Sequence, residues 1–192
     1  MLATIAALVV SRSEDAIESC DDASTATTLT SLRDAITGTV GRGFGVSAGY
    51  LADVGKLPSS VSDLLRKPPS VAPFDVDRSI GWRGPYVVAP AFPYQIDALA
   101  GFSAIYAVPG DPVVLDAWQR PIVVQVPDAD GDGTPDASDL AHARLVSAGR
   151  NGVLETPRTD AASGSGSAAF PSLASCGDDV VLYVNVADQR QP

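Results

Sequence analysis

The stretch LATIAALVVSRSEDAIESCDDASTATTLTSLRDAI, residues 2–36, contains neither Gly nor Pro. With no breaker in it, one continuous helix is predicted. Ile17 and Cys20 lie three apart, and Leu29, Leu32 and Ile36 repeat at three and four. That spacing puts a narrow apolar stripe on an otherwise polar helix. STATTLTS within it has weak helix propensity, so packing rather than local preference must hold the segment. The run TGTVGRGFG (37–45) ends the helix with four glycines.

Beyond the helix the text changes character. In DVGKLPSSVSDLLRKPP (53–69), Ser60 with Asp63 three residues on is capping-box-like, and Pro68-Pro69 stops the short helix so begun. RPIVVQV (120–126), ARLVSA (143–148) and DVVLYVNV (179–186) are the best strands, each rich in β-branched residues. TDAASGSGSAA (159–169) has the composition of a flexible loop between the last two. A long helix followed by late strands predicts an α+β domain. The helix's C-terminal half would cover one face of a small antiparallel sheet. The expected division is a helix over 1–36 and a head over 37–192.

Composition bounds the function. A chain of 192 residues is one domain's worth, and its 45% hydrophobic content excludes general disorder. The net charge of −10 leaves no basic stripe to displace phosphate counterions, which speaks against nucleic acid as a partner. Two cysteines, Cys20 and Cys176, form no CxxC pair and no Cys/His cluster, which speaks against zinc and iron–sulfur sites. One disulfide between them and two separate thiols are both open readings. MLATIAALVV (1–10) is far shorter than the roughly 20 residues that span a bilayer, and it reads as the last half of a longer apolar helix. No basic segment precedes it and no small-residue cleavage site follows, so it is not a complete signal peptide.

The landmarks, taken in order, resemble those of the type II secretion major pseudopilin and the wider type IV pilin-like family. GKLPSSVSDLL (55–65) is similar to the family's segment after the long helix, and GWRGPYV (81–87) to its W-x-G-P-Y segment. DAWQRPIVV (116–124) resembles its D-P-W-G-N-P-Y strand approach. LVSAGRNG (145–152) resembles its S-x-G-x-D-G turn, and CGDDVVLYV (176–184) the acidic start of its last strand. The resemblance implies a pilin-like fold, a long N-terminal helix packed on a small antiparallel sheet. MLATIAALVV would then be the end of a truncated membrane and assembly helix. The family's recognition glycine and fifth-position glutamate are absent from this chain; residues 89–110 are an insertion, Asn151 replaces the turn's usual Asp, and 156–175 lengthen the last loop.

What the resemblance implies for function is a structural subunit of a pseudopilus or pilus-like filament that supports protein secretion. Its partners would be copies of itself and other pseudopilins, met through the N-terminal helix. The inner membrane would be reached through the missing N-terminal segment, with the head periplasmic or on a cell-surface filament. The alternative is a secreted calcium-binding module recognising a protein or polysaccharide.

DADGDGTPDASD (128–139) carries the clearest ligand chemistry. Ca²⁺ takes about six to eight oxygens, and a 12-residue loop supplies them from positions 1, 3, 5, 7, 9 and 12. Those positions fall on Asp128, Asp130, Asp132, the Thr134 carbonyl, Asp136 and Asp139, with Gly133 at the sharp turn. The approach is a strand rather than a helix, and Pro135 removes an N–H that paired sensor loops use, so an extracellular structural site is predicted. A second Ca²⁺ position is implied by the resemblance alone, with Asn151, Asp178 and Asp179 as its candidates. His142, the only histidine, has no nucleophile-elbow motif to serve, and nothing in the sequence calls for an enzyme.

Overall fold

The computed structural model describes residues 2–40, 46–47, 49–88, 92–127, 142–158 and 176–184, with side chains described from residue 18 onward except at 39–40 and 46–47. Helix α1 runs Leu2–Thr37, 36 residues and so about 54 Å at 1.5 Å per residue. Gly38 ends it: its φ of 84° is a left-handed conformation that suits glycine, and its N–H reaches Asp34 O at 2.8 Å. Short strands β1 (Thr39–Val40) and β2 (Val46–Ser47) then pair antiparallel. Two short helices follow, α2 (Tyr50–Val54) and α3 (Ser62–Leu65). Asp63 does reach back as a capping carboxylate, but to Ser59, whose N–H and hydroxyl both donate to Oδ2 at 2.8 Å. The carboxylate therefore binds Ser59 rather than Ser60, and the N-cap position of α3 is Val61, which makes no side-chain capping bond.

Three strands form the main sheet: β5 (Val123–Gln125), β6 (Arg144–Ser147) and β7 (Val180–Tyr183), antiparallel in the order β5-β6-β7. They sit inside the three predicted segments, each shorter than its β-branched run. A small hairpin pairs β3 (Phe92–Pro93) with β4 (Pro112–Val113). The register sorts the sheet into two faces. Val124, Leu145 and Leu182 stand in one row and pack with Leu29, Leu32 and Ile36 of α1. Burying each such leucine stabilises the fold by about 1.5–3 kcal/mol, which outweighs the weak helix propensity of STATTLTS. The α+β layering of helix on sheet follows directly from that stripe.

The other face is not left to solvent. Val123, Val146 and Val181 stand in the opposite row and are covered by Tyr94, Phe102 and Tyr106. These belong to the 89–110 insertion, whose described part, 92–110, is a cover on the sheet rather than a loop in water. A buried polar network fastens its inner side. Arg144, fully buried on β6, donates from Nε to Gln125 Oε1 at 2.8 Å, and Gln125 Nε2 donates to Tyr106 Oη at 3.1 Å and Thr156 O at 3.3 Å.

Two further segments act as clips. Asp116, buried in DAWQRP, accepts from the N–H groups of Trp118 (2.9 Å) and Arg120 (2.8 Å) and from Ser147 Oγ (2.6 Å). Next to it Ala117 N–H donates to Thr25 Oγ1 on α1 at 3.2 Å. In GWRGPY, Arg83 pairs with the buried Asp53 of α2, Tyr86 Oη donates to the same carboxylate at 3.0 Å, and Trp82 Nε1 donates to Asp63 O at 2.9 Å. Trp82 thus packs beside the core and Trp118 lends its backbone N–H to the Asp116 turn. Thr25 is the first buried residue of α1 among those described, and residues 18–24 are largely exposed. Glu18 nevertheless accepts from Arg150 Nη1 of the head at 3.0 Å, so a polar contact reaches that far along the helix.

Candidate metal centre

The turn after β6 and the start of β7 meet at one edge of the sheet. Carboxylate oxygens of Glu155, Asp178 and Asp179 lie within 4.8 Å of one another there. Three negative charges at that spacing repel by about 1 kcal/mol per pair even with water-like screening. The polypeptide offsets part of this with donors. Asp179 Oδ2 accepts from Glu155 N–H (3.0 Å), Thr156 N–H (2.7 Å) and Thr156 Oγ1 (2.6 Å). Asp178 Oδ2 accepts from Asn151 N–H at 2.8 Å, and Glu155 Oε2 accepts from Asp178 N–H at 3.2 Å. Asp179 Oδ1 is buried and has no hydrogen-bond partner.

Burial pushes the Asp179 carboxyl above its usual range; the Thr156 bonds oppose this and the Glu155 charge adds to it. Burial likewise raises Asp116, against the bonds from Ser147, Arg120 and Trp118. A cation among the three carboxylates would reverse the situation at Asp179 by favouring its charged form. The donor set is hard oxygen with neither His nor Cys, which suits Ca²⁺ or Mg²⁺ and not zinc.

Of the second set expected from sequence, the structure brings Asp178 and Asp179 together, with Asn151 hydrogen-bonded beside them. Asn151 Oδ1 accepts Val153 N–H at 2.6 Å, and its Nδ2 donates to Glu155 Oε2 at 3.2 Å. It braces the turn, and Glu155 supplies the third carboxylate. Gly177 makes room for it: its φ is 58°, and a Cβ there would overlap Glu155 Oε2.

The first set, Asp128, Asp130, Asp132, Thr134, Asp136 and Asp139, lies outside the described residues. What is described is its frame: β5 and β6 pair on either side, with Gln125 opposite Arg144. Cys20 is exposed on α1 while Cys176 is buried beside the acidic cluster, and both are thiols rather than halves of one disulfide. His142 is half-buried in the turn before β6. Among the described residues no helix is long and apolar enough to cross a membrane. No family model matches the chain, and neither a curated protein nor a solved structure does.

Proposed function

We infer that the chain is a structural subunit of a pseudopilus or type IV pilus-like filament that supports protein secretion, with head loops ordered by Ca²⁺. The observation that carries the reading is the use of α1. Its C-terminal half packs Leu29, Leu32 and Ile36 on an antiparallel sheet, while residues 18–24 are largely exposed and meet the head through the Glu18–Arg150 pair. A helix exposed over those residues has a surface available to pack on neighbouring copies, and MLATIAALVV supplies apolar text for that purpose.

Ca²⁺ at Glu155, Asp178 and Asp179 would hold the start of β7 to the turn after β6, and the DADGDG loop would add a second ion on the β5–β6 connection. Binding to the folded state stabilises it by RT ln(1 + [Ca²⁺]/Kd), so millimolar Ca²⁺ outside the cytoplasm suffices for a weak structural site.

The test is the DNA in frame upstream of Met1. Text that completes the roughly 20 apolar residues of a membrane helix, preceded by a glycine and with a glutamate at the fifth position after it, supports the subunit. A stop codon or an ordinary signal peptide removes it in favour of a secreted calcium-binding module.

A further inference from the structure

The chain has two asparagines, Asn151 and Asn185, and only the first is followed by glycine. An asparagine side-chain amide is open to attack by the backbone nitrogen of the next residue, because closing a five-membered ring makes the step intramolecular. A side chain on that next residue crowds the ring. The β-branched Val186 does so after Asn185, whereas Gly152 has no side chain to do it with.

The turn around Asn151 supplies more than the dipeptide. Asn151 is exposed, so water reaches it. Its Oδ1, where negative charge develops as the ring closes, accepts Val153 N–H at 2.6 Å, a backbone donor fixed in place before the reaction. The Arg120 guanidinium occupies the space that a side chain at 152 would fill, and its Nε is buried with no hydrogen-bond partner. A cation there favours the deprotonated nitrogen that attacks, against the opposing charges of Glu155 and Asp178. Two bonds restrain the step. Gly152 N–H donates to Ala148 O at 3.2 Å, and Asn151 Nδ2 donates to Glu155 Oε2 at 3.2 Å. Both sit at the long end of the hydrogen-bond range, so they slow the step rather than prevent it.

We propose that Asn151 is a self-modifying site, at which the Gly152 nitrogen displaces the side-chain amide and the residue becomes aspartate or isoaspartate. Gly152 N loses its proton to water and bonds to Asn151 Cγ. The Cγ–Nδ2 bond then breaks, and Nδ2 takes up a proton and leaves as ammonia. Water adds to the resulting imide, whose opening at one C–N bond gives aspartate and at the other isoaspartate. Water enters and ammonia leaves, with no change of oxidation state. The product exchanges an amide donor for a carboxylate beside Glu155 Oε2, and so adds a carboxylate to the Glu155, Asp178 and Asp179 cluster. With no cation the added charge repels its neighbours; with Ca²⁺ bound it supplies a further oxygen ligand. The conversion itself is independent of the metal reading, and only this consequence rests on it.

The experiment incubates the purified full chain, folded and at neutral pH, for several weeks in heavy-oxygen water, then digests it with trypsin in ordinary water. Heavy oxygen is expected in the peptide from Asn151 to Arg158, divided between aspartate and isoaspartate, and is expected to be absent from Asn185. The same chain in urea gives the rate without the turn, and the folded rate should lie within about tenfold of it. Asn151→Gln, whose ring would have to be six-membered, should stay unlabelled. Label at 151 in urea but none in the folded chain overturns the site, as does equal labelling of Asn185 or of the Gln variant. The Asn151→Asp variant carries the consequence: it should be less stable than wild type in chelator and bind Ca²⁺ about tenfold more tightly. Conversion at Asn151 with no Ca²⁺ binding by either protein supports the modification and removes the metal reading.

Discussion

Asn151 turns its amide nitrogen toward Glu155, donating from Nδ2 to Oε2 at 3.2 Å, while its own oxygen is taken by Val153 N–H. An asparagine in this pose presents a donor where a cation needs an acceptor. Glu155→Gln is therefore expected to weaken Ca²⁺ binding at this cluster by about tenfold or more, and Asn151→Ala by much less. Calorimetric titration in a variant whose 128–139 aspartates are neutralised isolates the site. Equal losses from the two substitutions would show that Asn151 is a ligand after all.

The pH dependence has a definite sign. The Asp179 and Asp116 carboxyls both titrate above their unfolded range because burial disfavours their charge. Between the unfolded and folded pKa values the native state holds more protons, so stability from these groups is fully present at low pH and is lost as pH rises through the folded pKa. In chelator, urea unfolding of the wild type should show this contribution falling with rising pH. Asp179→Asn should remove its share, seen as a wild-type-minus-variant difference that slopes with pH. With saturating Ca²⁺ the Asp179 share should flatten or reverse, because the ion favours the carboxylate. A difference that stays level in chelator would contradict the burial argument.

How far the sequence reached depends on how each contact is encoded. The α1 stripe of Leu29, Leu32 and Ile36 was legible because helical packing repeats at fixed spacing, and the three strands because β-branched runs favour a pleated surface. The cover was not legible. Tyr94, Phe102 and Tyr106 face the sheet from an irregular segment with no period to read. Glu155 was missed for a related reason: it joins Asp178 and Asp179 across 23 residues of chain through turn geometry rather than spacing. The resemblance points to Asn151, and the turn places the Glu155 carboxylate beside Asp178 and Asp179.

Tyr50 offers a test of the inner core. Its ring is fully buried and meets Tyr86 edge-on at 5.5 Å, yet its hydroxyl has no hydrogen-bond partner. Burial raises its pKa strongly, so it stays a neutral phenol. Leaving such a donor unpaired costs about 1–3 kcal/mol, and Tyr50→Phe removes the group while keeping the ring. The variant should be as stable as the wild type or more so, by up to about 1 kcal/mol in urea unfolding. Leu32→Ala, which opens a cavity in the same cluster, should cost about 2–5 kcal/mol. A clear loss in Tyr50→Phe would mean that an internal water satisfies the hydroxyl.

Gly177 links the fold to the site most directly. It adopts a φ of 58° just before Asp178, and the space its side chain would fill is held by the Glu155 carboxylate. Gly177→Ala therefore meets two obstacles at once, a left-handed backbone conformation and a collision with a ligand. The backbone alone costs about 1–2 kcal/mol. The collision must be relieved by moving Glu155, because Cys176 beside it is buried and Asp179 N–H is bonded to Cys176 O at 2.9 Å. The expected result is a loss of about 1–3 kcal/mol in chelator together with weakened Ca²⁺ binding, so that the rise in Tm on adding Ca²⁺ shrinks. Glu155→Ala combined with Gly177→Ala separates the two effects. It should recover the collision's share of stability but not the Ca²⁺ response. Full recovery of both would show that Glu155 does not contribute to ion binding.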